Sequence, residues 1–77
     1  MTIGLKLRIA REKRGFSTHD LARSCKPTFT NRQICAWESG ANDILIGNLS
    51  RIADALGMTT SEILSIGEEV APVEVTK

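Results

Sequence analysis

The sequence has no tyrosine, one tryptophan and two phenylalanines, so its core must be mainly aliphatic around Trp37, Phe16 and Phe29. No stretch approaches the roughly 18 uninterrupted apolar residues of a membrane span, and no long apolar run follows the basic N-terminal residues. Neither a span nor a secretory leader is expected, and the chain reads as cytoplasmic. The two cysteines, Cys25 and Cys35, and the single histidine, His19, are too few soft ligands for a tetrahedral zinc site. In a reducing compartment both thiols are expected to be free. The sequence also lacks paired carboxylates and nucleophile–base spacing, so no catalysis, no metal and no cofactor are expected.

Length is in short supply too. Seventy-seven residues make one small domain with no room for a second. A chain of this size buries only about 60 to 65% of the surface its unfolded form exposes, so an added dimer interface would matter. What is present suits folding: 42% hydrophobic and 25% charged residues fall in the globular range. The net charge of +1 conceals a polarity, since residues 1 to 40 hold eight Lys/Arg against three acids, a net of +5, and residues 41 to 77 a net of −4. A basic face for a polyanion and an acidic face turned away from it would account for that division, as would chance unevenness of a solvated surface.

The apolar spacing is helical almost throughout. Ile3, Leu7, Ala10 and Arg11 share one face of a first helix over about residues 3 to 14, stopped by Gly15. Ser17 can cap a second helix, with Asp20 placed where negative charge favours a helix start, and this helix ends before Pro27. Thr30 caps a third, about residues 31 to 38, ended by Ser39-Gly40. Residues 17 to 38 are thus two short helices joined by a tight turn, a helix-turn-helix unit. Ile46, Leu49, Ile52, Ala53 and Leu56 mark a fourth helix up to Gly57, and Thr59-Thr60-Ser61-Glu62 fits a capping box for a short fifth. The domain is expected to be residues 1 to 67, all-α with five helices. The tail, 68 to 77, with Val70, Val73 and Val75 around Pro72, is expected to be disordered or a short edge-type strand.

Leu21-Ala22, then Ile34-Cys35-Ala36-Trp37-Glu38-Ser39-Gly40, then Leu49, Ile52-Ala53 and Leu56-Gly57 resemble the lambda-repressor-like (Xre/Cro) helix-turn-helix family over residues 3 to about 66. The most specific parts are Trp-Glu-Ser-Gly at the end of helix 3 and Ile-Ala-Asp-Ala-Leu-Gly in helix 4. The resemblance implies a compact five-helix domain and a dimeric DNA-binding regulator of transcription, as in phage repressors, plasmid regulators and antitoxins. It also implies a structural pair between Arg11 of helix 1 and Glu38 at the end of helix 3. The chain departs from the family in having Thr18 where Gln is usual, Ile44 where proline is common and Leu45 where a small polar cap is usual. Its turn from Arg23 to Phe29 is about two residues longer.

In a helix-turn-helix the recognition helix enters the major groove with its N-terminal residues on the base edges. Arg pairs with guanine and Asn or Gln with adenine through two hydrogen bonds each, which makes Asn31, Arg32 and Gln33 the candidate base contacts. Cys35 and Ala36 are small enough to approach a thymine methyl group on the same side. Ser17, Thr18, Thr30 and Asn42 are the candidate phosphate contacts, since helix N-termini attract phosphate. Trp37 is read as core. Ile44 and Leu45 in a loop, and Leu5 and Ile9 on the far face of helix 1, lack an obvious interior, so Ile44 and Leu45 are the dimer candidates.

Two functions follow. The first is a dimeric repressor reading a palindromic double-stranded operator. The alternative is an antitoxin or interaction module whose Val70 to Val75 tail binds a protein partner, with DNA binding as autoregulation.

Overall fold

A computed structural model describes residues 1–67 of the chain, and the tail readings lie outside the described residues. Five helices follow one another: α1 (Ile3–Lys13), α2 (Thr18–Ser24), α3 (Asn31–Ser39), α4 (Ile46–Leu56) and α5 (Thr60–Leu64). No strand occurs among the described residues, and none of the helices there is long and apolar enough to cross a membrane.

The punctuation anticipated in the sequence sets the ends of most of these helices. Ser17 with Asp20, Thr30 with Gln33 and Thr59 with Glu62 form reciprocal capping boxes at α2, α3 and α5. At the end of α1, Gly15 takes a φ of 74°, and the amides of Gly15 and Phe16 bond back to the carbonyls of Glu12 and Arg11. That paired closure needs a left-handed residue, which glycine supplies without a Cβ penalty. Only α4 begins without help: Leu45 occupies its N-cap and makes no side-chain cap hydrogen bond.

The core collects Leu7 and Ala10 of α1, Leu21 and Ala22 of α2, Ile34 and Trp37 of α3, Leu49, Ile52, Ala53 and Leu56 of α4 and Ile63 of α5. Cys25 and Phe29, from the segment between α2 and α3, complete it. This segment is six residues, 25–30, rather than a tight turn, and contains a cis Lys26–Pro27 peptide. Its two buried side chains explain the length, because the chain dips into the core before α3 begins. The Phe29 amide bonds to the Ala22 carbonyl at 3.0 Å.

Four apolar or basic positions differ from the expected pattern. Ile3 is at the edge of exposure rather than on the core stripe, and Lys6 is buried at 7% exposure. The Lys6 stem lies along the protein interior while its Nζ donates to the Leu64 carbonyl at 2.6 Å, placing a cation at the C-terminal end of α5. Ile44 is half-buried against the core, whereas Ile46 is 70% exposed. The physical reason is the start of α4: its first turn projects past the core, so the loop residue before it does the packing that periodicity assigned to Ile46. Leu45, at 72%, and Leu5, at 41%, are exposed as expected, while Ile9 is half-buried.

Gly4 fixes how α1 meets α3. A Cβ there would lie 2.5 Å from the carbonyl oxygens of both Trp37 and Glu38, a distance no side chain tolerates against backbone. The helix can come this close only with glycine at position 4.

Candidate nucleic-acid interface

From Gly4, seven residues carry α1 round two turns to Arg11, on the same side of the helix. Arg11 meets Glu38 with both arms: Nε donates to Oε2 at 2.7 Å and Nη2 to Oε1 at 3.0 Å. Its Nη1 donates to the Phe16 carbonyl at 2.9 Å, so one guanidinium ties the end of α3 to the chain entering α2. Both side chains are nearly enclosed, and the hydrogen bond to Glu38 holds the Arg11 pKa above its ordinary value. The pair implied by the family resemblance is therefore present, and its bidentate geometry is the strong form of such a contact.

With its C-terminal end fixed, α3 presents its N-terminal turn outward. Arg32 is exposed and makes no hydrogen bond or ion pair within the described residues. Its neighbours are more committed. Gln33 is exposed, but its Oε1 accepts from the Thr30 amide at 2.9 Å, so its carbonyl serves the capping box. Asn31 is half-buried, with Oδ1 enclosed and without a partner among the described residues. Either amide must turn outward before both its atoms can face a base edge. Cys35 is exposed and Ala36 half-buried on the same helix.

The candidate phosphate contacts are spread over two helix starts and a loop. Ser17 is exposed, its Oγ accepting from the Asp20 amide at 3.0 Å, and Thr18 is half-buried behind it. The Asp20 carboxylate accepts from the Ser17 amide in return, which holds its pKa below the ordinary carboxylate value. Thr30 is exposed, its Oγ1 accepting from the Gln33 amide at 3.1 Å. Asn42 is exposed just past α3, tethered by its amide to the Ala36 carbonyl.

Both thiols are free, with Cys25 buried and Cys35 exposed, and burial pushes the Cys25 thiol above its ordinary pKa. Arg8 was not singled out in the sequence. With Arg11, Cys35, Glu38 and Ser39 it lines a shallow cleft of about 250 Å³ between α1 and α3, which adds a cation beside Cys35. Its spacing of three residues from Arg11 was the available signal, masked because Arg8 also pairs with Glu12 at 3.2 Å.

A helix-turn-helix family model matches residues 7–63, from within α1 through α2, α3 and α4 to most of α5. The chain belongs to the lambda-repressor/Xre-like helix-turn-helix family. A comparison with curated proteins gives no match. As a helix-turn-helix domain the chain is a DNA-binding regulator, with α2 and α3 as its defining pair. The family match and the all-helical fold agree with the sequence reading.

Proposed function

We propose that this helix-turn-helix domain is a sequence-specific, double-stranded-DNA-binding repressor of transcription that acts in the cytoplasm as a homodimer on a palindromic operator. The observation that carries the reading is Arg32, an exposed and unpaired guanidinium on the first turn of α3, where a recognition helix meets base edges. A free arginine fork suits guanine O6 and N7, a contact worth about 1 to 3 kcal/mol of discrimination. Asn31 and Gln33 add adenine contacts once turned outward, and Cys35 and Ala36 face the groove floor. Ser17, Thr18, Thr30 and Asn42 position the domain on phosphates and carry no sequence information themselves.

The dimer reading rests on Leu45, joined by Ile46 in place of Ile44. These two neighbouring residues are the most exposed large apolar side chains among the described residues. An isologous interface would cover them, and two half-sites about 34 Å apart would double the contacts of a small module.

Selection of bound duplexes from a random pool tests the reading. The intact chain is expected to enrich a two-fold symmetric consensus, and Arg32→Ala to relax preference at one base pair in each half-site. Enrichment of no consensus, or an Arg32→Ala consensus unchanged from the parent, would overturn it. Sedimentation equilibrium of Leu45→Asp checks the dimer, which fails if the parent is monomeric even on the selected DNA.

A further inference from the structure

Arg51 is one of only two basic residues in the acidic half of the sequence and lies in the middle of α4, away from the polar turn of α3. Its guanidinium nonetheless touches the segment that leads into α3 at two points. Nη2 donates to the Pro27 carbonyl, and the guanidinium carbon lies 3.9 Å from the centroid of the Phe29 ring. Nη1 is braced by Asn48 Oδ1 at 3.3 Å, one turn back on α4, and Nε is buried without a partner among the described residues. The cation thus sits in the seam between α4 and the connection.

Phe29 carries the contact onward. Its ring meets Trp37 of α3 edge-on, with centroids 4.9 Å apart and planes at 89°. The main helix packing joins α3 to α1 and α2, and α4 to α2 and α5, so α3 has no broad seat on α4. Arg51, Phe29 and Trp37 bridge that gap as a chain of three side chains. Beside the bridge, an open cleft of about 440 Å³ lined by Ser24, Lys26, Arg51, Asp54 and Ala55 leaves the connection without packing on that side. A planar cation over an aromatic face, also donating to a carbonyl, fixes direction as well as distance.

We propose that Arg51 is a positioning residue for DNA recognition: by holding Pro27 and Phe29 to α4, it sets the angle at which α3 offers Arg32 to the major groove. This rests on the reading of α3 as the recognition helix. Arg51 itself touches no DNA in this arrangement, so its removal should cost discrimination between sequences and leave the number of neutralised phosphates unchanged.

The test compares the parent chain with Arg51→Lys and Arg51→Met on the parent's selected duplex and on an unrelated duplex of equal length. Titrations are run over a range of salt, at a temperature where circular dichroism shows each variant folded. Arg51→Met is expected to lower the ratio of specific to non-specific affinity about tenfold, the equivalent of one misaligned base contact. Arg51→Lys, which keeps the charge on a single donor nitrogen but loses the planar fork, should recover part of that ratio, and the slope of log affinity against log salt should match the parent's. A ratio within about twofold of the parent for both variants overturns the proposal. So does an equal loss on both duplexes with a shallower salt slope, which would make Arg51 a phosphate contact. If Arg51→Met does not fold, Arg51→Lys and Asn48→Ala, which removes the brace alone, decide by the same ratio. Failure of the parent to select a consensus, or of Arg32→Ala to alter it, instead removes the recognition-helix reading and this proposal with it. An altered Arg32→Ala consensus beside an unaffected Arg51 series overturns only the positioning role.

Discussion

At its C-terminal end α3 is gripped by backbone contact with Gly4 and by the two-armed pair of Arg11 with Glu38, whereas its N-terminal turn is held by a capping box of exposed side chains. At the gripped end both Glu38 carboxylate oxygens and the Ser39 hydroxyl are engaged within the domain. The lightly held end keeps Arg32 free and leaves Asn31 and Gln33 one rotation from release. A reading helix needs both conditions, since its position has to be fixed by something other than the atoms that touch the ligand.

Removing the grip should have the largest effect. Glu38→Ala leaves the enclosed Arg11 guanidinium without its partner, which costs about 3 to 5 kcal/mol. That is a large share of the roughly 5 to 15 kcal/mol that holds a typical domain folded. Urea unfolding followed by circular dichroism measures it, and a loss below about 1 kcal/mol would reduce the pair to an ordinary surface bridge. Gly4→Ala comes next, because its methyl group meets two backbone carbonyls that cannot swing aside; overpacking of this kind costs about 1 to 3 kcal/mol. Gly47→Ala in α4, where a Cβ meets nothing within 4 Å, is the matched control and should be neutral or slightly stabilising in a thermal melt.

The lightly held end should respond less. Thr30→Ala removes the cap at a cost of about 1 kcal/mol, and hydrogen exchange should quicken at the Gln33 amide while the amides near Glu38 keep their protection. The smallest effect distinguishes two boxes of the same design. The Thr30–Gln33 box has no ionisable member, while Asp20 in the Ser17 box is held below its ordinary pKa by the Ser17 amide. Its contribution is complete above the ordinary aspartate value of about 3.9 and is lost as pH falls through the lower folded value. Acidification should therefore loosen the Ser17 amide before the Thr30 amide, as amide chemical shifts would record.

Much of the chemistry carried by residues a few positions apart was legible in the sequence. The caps of α2, α3 and α5, the stop at Gly15 and the buried Trp37 all belong to that class. Arg11 with Glu38 was legible only through the family resemblance, as 27 residues separate the partners. Lys6 was missed because its long stem can hide while its amine finds a carbonyl at the far end of the domain. Ile44 and Ile46 exchanged roles because periodicity says which residues share a face, not where the helix begins to overhang its core. Arg51 gave no signal, as its partners lie in a connection whose path depends on Cys25 and Phe29 being buried. In the site, Arg32 was read as it stands, whereas the inward-turned Asn31 oxygen depends on a rotamer that no spacing rule specifies; the engaged Gln33 carbonyl was signalled by the Thr30-x-x-Gln33 capping-box spacing, a signal the reading of Gln33 as a base contact passed over.

The bare start of α4 has a consequence for evolution and engineering. Leu45 stands at an N-cap with extended backbone, where Asp or Ser would gain about 1 kcal/mol, and its side chain gains little burial in exchange. A search for stability alone would replace it at once. Natural sequences rarely sit at their stability optimum, and the usual place to forgo an easy gain is a surface with another duty. Any attempt to make this domain hardier by conventional capping would therefore change the very position on which its assembly is proposed to depend.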